Sequence, residues 1–201
     1  MTDSVSPPVP LLNIANVLTT VRILLVPFFI WFLLADGGAG GVFRWLAVLV
    51  FAVAIYTDKL DGDLARSRGL ITNFGKIADP IADKLLIGSA LILLSVLGDL
   101  PWWITVVILV RELGITLLRF VVIRYGVMPA SRGGKLKTVL QTLAIFLYLL
   151  PLESWLGPWA VWVAFAVMML AVVVTVVTGV DYVVKAVKLR RASLAGTEGQ
   201  R

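Results

Sequence analysis

The 201 residues are 60% hydrophobic and 15% charged, with a net charge of +6 and a mean hydropathy of +0.98, against roughly 45–50% apolar and 25% charged in a soluble domain. Such a composition excludes an ordinary water-soluble fold and predicts a membrane protein. Cysteine and histidine are both absent, which excludes disulfides, thiolate or imidazole zinc sites, histidine bases and cysteine nucleophiles, so any chemistry rests on carboxylates, cations, hydroxyls or a metal held by oxygen.

In chain order, Met1 to Pro10 carries only Asp3 as a charge and contains three prolines, which is not the pattern of a cleavable signal peptide. Residues 1–16 are expected to be a cytoplasmic segment. A helix that crosses a bilayer needs roughly 20 mostly apolar residues, and six stretches fit: 17–34, 43–57, 77–97, 101–124, 136–152 and 156–184. The fold class expected is therefore all-α, a single polytopic domain over 1–201 with six transmembrane helices and a basic tail at 185–201.

Cations set the orientation, because Lys and Arg are retained on the cytoplasmic side. The 58–76 loop holds Lys59, Arg66, Arg68 and Lys76, the 124–137 loop Arg124, Arg132, Lys135 and Lys137, and the tail five more, whereas the connections 35–44, 98–100 and 151–155 hold only Arg44. Both termini are expected in the cytoplasm. All seven tryptophans fall near the opposite ends of these segments, where indole rings favour the interface. Nucleic-acid binding is disfavoured, since the basic residues are spread over three loops with no aromatic platform among them.

Four of the twelve acidic residues cluster where the second segment ends and the third begins. Asp58 and Asp61 are spaced i, i+3 and Asp79 and Asp83 i, i+4, so each pair lies on one helix face. If the two faces meet, four anions repel one another at the edge of a low-dielectric region and require positive charge between them. Hard divalent cations such as Mg²⁺ or Mn²⁺ suit oxygen ligands, and two ions about 3.5–4 Å apart form a clamp suited to phosphoryl transfer. Gly62, Ala65 and Gly75 keep the neighbouring helix surface open to a ligand. Arg66 is a natural partner for a diphosphate, through its planar fork. The alternative is that these aspartates cap helices or pair with Lys59, Arg66, Arg68, Lys76 and Lys84 at a wet interface.

Asp58, Asp61, Gly62, Ala65, Arg66, Gly75, Asp79 and Asp83 reproduce, with both gaps, the signature of the CDP-alcohol phosphotransferase family, which this sequence resembles over nearly its whole membrane region. The resemblance implies a di-metal site of two Mg²⁺ or Mn²⁺ ions on Asp58, Asp61, Asp79 and Asp83, with Asp79 and Asp83 catalytic and Asp83 the general base on an acceptor hydroxyl. It also implies a CDP pocket lined by Thr57, Asp58, Asp61, Gly62, Ala65, Arg66, Gly75 and Asp79, a multi-pass bacterial plasma-membrane enzyme facing the cytoplasm, and a homodimer.

Within the family the chain is most similar to members that join CDP-diacylglycerol to glycerol 3-phosphate. Three stretches carry this: Asn13 to Arg22, with Ala15 where proline is usual; Arg111-Glu112-Leu113 through Arg119; and Gly134 to Thr138. Arg111, Arg119, Lys135 and Lys137 are the expected ligands of an acceptor phosphate, which carries about two negative charges. Positive-inside topology or an interhelical ion pair accounts for the same cations without a ligand. Asn16, Thr19 and Arg22 suit either the nucleotide side of the pocket or the start of a helix, and Asp181 and Tyr182 read as interfacial. The same chemistry with phosphatidylglycerol, inositol phosphate or serine as acceptor, a cation-coupled transporter, and a non-catalytic scaffold are the competing readings.

Overall fold

The computed structural model describes residues 13–67, 72–122 and 132–198, and these form seven helices and no strand among the described residues. Two compact units divide the chain, Met1–Leu97 and Gly98–Arg201.

The first unit is built from α1 (Ile14–Asp36), α2 (Val42–Ser67) and α3 (Asn73–Val96), with α1 packed against both of the others. Asn13 starts α1 by accepting the Asn16 N–H at 3.0 Å, one of the four N–H groups a helix start leaves unpaired. Thr72 does the same for α3, accepting from Gly75 N–H at 3.0 Å, and its hydroxyl also donates to Asn16 Oδ1 at 2.8 Å. The starts of α1 and α3 are thereby tied together by side chains that also cap them.

The turn between α1 and α2 is glycine-rich for a backbone reason. Gly37, Gly38 and Gly40 sit at φ 57°, 87° and 70°, where a Cβ is strained. The Asp36 carboxylate accepts the N–H groups of Gly40 (3.1 Å) and Gly41 (2.8 Å), which holds the reversal from inside. Beyond it, Phe29 and Leu33 of α1 bury completely beside Ala47, Phe51 and Ala54 of α2. The Phe29 and Phe51 rings are tilted with centroids 5.8 Å apart, and alternating large and small residues let the two helices approach closely.

The second unit comprises α4 (Trp102–Val122), α5 (Arg132–Leu149), the short α6 (Leu152–Leu156) and α7 (Trp159–Glu198), with α7 packed against α4, α5 and α6. Its α7 has 40 residues, about 60 Å of helix at 1.5 Å per residue. The basic stretch 185–198 therefore continues a helix where a tail was expected, because nothing between Tyr182 and Glu198 breaks the pattern: there is no proline and the one glycine, Gly196, lies near the end.

The expected 58–76 loop is likewise mostly helix, with α2 running to Ser67 and α3 beginning at Asn73. Leaving an apolar environment does not oblige a helix to stop, and Asp58, Lys59 and Asp63, all exposed, keep its outer turns soluble. Residue 132, expected in the 124–137 loop, already belongs to α5, and the connection expected at 151–155 is largely helix, α6 over Leu152–Leu156. Residues 1–12, 68–71, 123–131 and 199–201, where Arg68 and Arg124 fall, lie outside the described set.

Two stretches, Ile14–Asp36 and Trp159–Arg190, are long and apolar enough to cross a bilayer by length and composition. Large apolar side chains stand exposed along the helices, including Leu24 at 60%, Phe120 at 72% and Trp162 at 72%, and contiguous apolar surface on this scale marks contact with lipid or protein rather than water.

Candidate active site

Three α1 residues at i, i+3 and i+6, Asn16, Thr19 and Arg22, are buried polar groups in an otherwise apolar helix, and Arg22 is only 1% exposed. They face the aspartates of the other two helices. The Arg22 guanidinium pairs with Asp58 through Nη1 at 2.6 Å and with Asp61 through Nη2, which also donates a hydrogen bond to it. The Thr19 hydroxyl lies 2.6 Å from Asp79 Oδ1 and 3.4 Å from Asp61 Oδ2. Carboxylates of α2 and α3 thus come together on a single hydroxyl of α1.

The sequence demanded positive charge among these anions, and within the first unit Arg22 supplies part of it. One guanidinium against Asp58, Asp61 and Asp79 still leaves the group net negative. Asp61 is nearly inaccessible, Asp58 is half exposed at its side chain (47%), and Asp79 is half-buried. Asp61 lies beyond the apolar stretch 43–57. Burial pushes its carboxyl up to about 6, Arg22 opposing the rise while Asp58 and Asp79 add to it and the Gly62 N–H opposes it. The rise is mainly a desolvation effect, in which burial disfavours the charged form more than Arg22 favours it.

Asp83 follows Asp79 by one helical turn on α3 and is half-buried. Gly75, one turn before Asp79, is confined: a Cβ there would come 3.1 Å from Asn16 Oδ1, 3.4 Å from Thr72 Oγ1 and 3.7 Å from Asp79 Oδ2. Its missing side chain keeps these oxygens close together and the backbone beside Asp79 open. Thr57 is buried and its hydroxyl donates to Ala54 O at 2.9 Å, so α2's own backbone occupies it. Gly62 lies on α2 next to Asp61; Ala65 and Arg66 follow on the same helix, with side chains outside the described set.

The donor set is all oxygen: carboxylates and a hydroxyl on three helices. Oxygen donors of net negative charge suit a hard divalent ion. Among the described residues, no three of these carboxylates are grouped closely enough to enclose a metal directly. Their links run through Arg22 and Thr19.

The second unit holds the other expected site residues. Arg111 of α4 donates through Nε to Thr175 O (3.1 Å), through Nη2 to Thr178 Oγ1 (2.9 Å) and through Nη1 to Glu112 Oε1 (3.1 Å). The same Glu112 oxygen accepts Lys137 Nζ of α5 at 2.6 Å. Arg119, exposed on the last turn of α4, donates to Tyr182 Oη at 2.8 Å. Arg111 and Arg119 both approach the Tyr182 ring, with guanidinium carbons 5.9 and 4.9 Å from its centroid. Three of the four expected phosphate ligands therefore form one network, while Lys135 stands exposed two residues before the buried Lys137. Positions i and i+2 point to different sides of a helix.

Reading the sequence alone passed over Gln141, Thr175 and Thr178, and took Tyr182 as interfacial. Tyr182 is 3% exposed and Thr175 fully buried. The available signal was the run Thr175, Thr178, Gly179, Tyr182, spaced i, i+3, i+4, i+7, which puts polar and small residues on one face of an apolar helix.

A membrane helical protein with an acidic oxygen cluster on one unit and a cationic cluster on the other has the outfit of an enzyme that works on phosphate esters. The family is specific: the model described as CDP-alcohol phosphatidyltransferase matches residues 12–177, and the chain belongs to that family, whose members generally use divalent metals. It is 56% identical over 176 residues to a protein of Mycobacterium tuberculosis described as a probable phosphatidylglycerophosphate synthase, covering 88% of this chain and 82% of that one. It is 38% identical to the CDP-diacylglycerol–glycerol-3-phosphate 3-phosphatidyltransferase of Bacillus subtilis, covering 85% and 93%. Similarity also extends, at 34% identity over 92% of this chain and 87% of the relative, to a CMP-forming cardiolipin synthase of Streptomyces coelicolor.

Proposed function

We propose that this chain transfers the phosphatidyl group of CDP-diacylglycerol to glycerol 3-phosphate, releasing CMP. The observation that carries the reading is the convergence of Asp58, Asp61 and Asp79 on Arg22 and Thr19, at positions that fit the family's signature. The names of the Mycobacterium tuberculosis and Bacillus subtilis relatives support the acceptor.

Asp58, Asp61, Asp79 and Asp83 would hold two Mg²⁺ or Mn²⁺ ions, which when bound neutralise charge developing on the diphosphate. Thr19 and Arg22 hold Asp58, Asp61 and Asp79 in place. Gly62, Ala65, Arg66 and Gly75 form the nucleotide side, with Thr57 supporting the helix beneath. The acceptor hydroxyl attacks the phosphorus next to the lipid and CMP leaves, while Asp83 takes the hydroxyl proton; with no histidine in the chain, a carboxylate is the available base. Arg119 and Lys135, both exposed, receive the acceptor's phosphate together with Arg111 and Lys137. Three cations against Glu112 leave the Arg111, Arg119 and Lys137 network with two positive charges, matching a phosphate of about −2. The helices form six membrane crossings, with both termini and the aspartates on the cytoplasmic side of a bacterial plasma membrane.

A second reading, phosphatidylglycerol as acceptor, is favoured by the Streptomyces coelicolor relative. Purified protein given CDP-diacylglycerol should release CMP with glycerol 3-phosphate, and not with phosphatidylglycerol, inositol phosphate or serine. Release with phosphatidylglycerol alone would replace the acceptor; metal-dependent cation uptake by proteoliposomes without any CMP release would replace the class.

Metal removal is a separate prediction. EDTA should abolish CMP release, and excess Mg²⁺ or Mn²⁺ should restore it. Full turnover after exhaustive chelation would remove the metal ions from the mechanism.

A further inference from the structure

The α7 face made by Thr175, Thr178, Gly179 and Tyr182 does more than pack against α4. Thr175 O and Thr178 Oγ1 fix two donors of Arg111. Gly179 leaves the space through which that side chain passes: a Cβ there would lie 3.1 Å from Arg111 Cγ and 3.3 Å from Nε. Tyr182, one turn on, accepts from Arg119 and presents its ring to both guanidiniums.

Each of these contacts restricts a long, flexible side chain that would otherwise lose rotamer entropy only when an anion binds. Arg119 shows the point most plainly, because it is exposed yet held by a buried tyrosine. A surface arginine whose only task is topology has no need of such a partner. The Thr175 hydroxyl in turn accepts from Gln141 Nε2 of α5 at 2.8 Å, so the face is braced from behind.

We propose that this α7 face is a positioning cradle, with Tyr182 its main positioning residue, which pre-orders Arg111 and Arg119 to receive the phosphate of the acceptor. The inference rests on the reading that these two cations bind that phosphate. Tyr182 touches neither substrate; it acts through the arginines.

The test compares Tyr182→Leu, Tyr182→Phe and Gly179→Ala with Arg119→Ala in purified full-length protein, reading KM for glycerol 3-phosphate, KM for CDP-diacylglycerol and kcat. Tyr182→Leu removes both ring and hydroxyl and should raise the glycerol 3-phosphate KM about tenfold, with kcat and the CDP-diacylglycerol KM within about twofold of wild type. Tyr182→Phe keeps the ring and should rescue most of that loss, which a merely structural hydroxyl would not predict. Gly179→Ala should raise the same KM by displacing Arg111.

If Arg119→Ala raises the acceptor KM while Tyr182→Leu and Tyr182→Phe leave it at the wild-type value, the cradle is wrong and the phosphate site stands. If Arg119→Ala and Tyr182→Leu both leave it unchanged, the phosphate site itself is wrong and the cradle falls with it. Should Tyr182→Leu not fold, Gly179→Ala decides the matter: an unchanged glycerol 3-phosphate KM in that variant overturns the cradle.

Discussion

Asp79→Asn is expected to lower kcat for CMP release by at least about 10²–10³-fold, the scale on which loss of one preorganised charge-stabilising group is felt, while the protein still folds. The substitution keeps the size of the side chain and its carbonyl oxygen, which can still accept the Thr19 hydroxyl that lies 2.6 Å from Asp79 Oδ1. What it removes is one negative charge and one carboxylate oxygen of the proposed metal site. Asp79 is the informative position because it belongs to α3, whereas Asp58 and Asp61 share α2 and share Arg22. Thr19→Val is the matching control: it deletes the hydroxyl that links Asp61 to Asp79 without touching either charge, and it should cost far less. The measurement is steady-state CMP release at saturating CDP-diacylglycerol and glycerol 3-phosphate, beside a melting curve for each variant. Asp79→Asn turnover within a few-fold of wild type, in a protein that melts normally, would remove Asp79 from the reaction.

The all-helical class and the two acidic pairs were legible because both depend on spacing. Apolar runs of membrane length and carboxylates at i, i+3 and i, i+4 are properties of the chain itself. The ends of the elements were less so. Nothing in Lys59 to Lys76 says that helix continues through the charged stretch up to Ser67, because a helix that leaves the apolar layer keeps its backbone hydrogen bonds and has no local reason to stop. The counter-charge was anticipated in kind and only partly in identity. A divalent ion was the expected partner of the aspartates, yet Arg22, eight residues into α1, also lies among them. That pairing joins residues 36 to 39 apart in sequence, and no local pattern reports it. Tyr182 was misjudged for a similar reason: beside the exposed Asp181 and Lys185, which pair with each other at 2.6 Å, it looked like a residue of the membrane boundary, although the next position round the helix faces inward.

Arg22→Met is expected to be the most destabilising single change in the first unit. It removes the cation that pairs with Asp58 and Asp61 from a position 1% exposed to solvent. Breaking a buried pair by deleting one partner costs about 3–5 kcal/mol, because the remaining charge stays buried without compensation. For a chain of this size that corresponds to a melting temperature lower by roughly 10 °C. The burden falls on Asp61, which is 4% exposed at its side chain, rather than on Asp58, which is 47% exposed and can be hydrated. Adding Asp61→Asn to Arg22→Met should therefore recover most of the lost stability, and adding Asp58→Asn should recover little, a non-additivity that a double-mutant cycle reads directly. Equal recovery from both, or a wild-type melting temperature for Arg22→Met, would show that the guanidinium is not what holds the buried carboxylate. The recovered double variant should still release no CMP, because Asp61→Asn restores the balance of charge by discarding a carboxylate that we propose holds the metal. Stability and turnover then part at one side chain: Arg22 offsets the buried Asp61 carboxylate, and that carboxylate is one the proposed reaction uses.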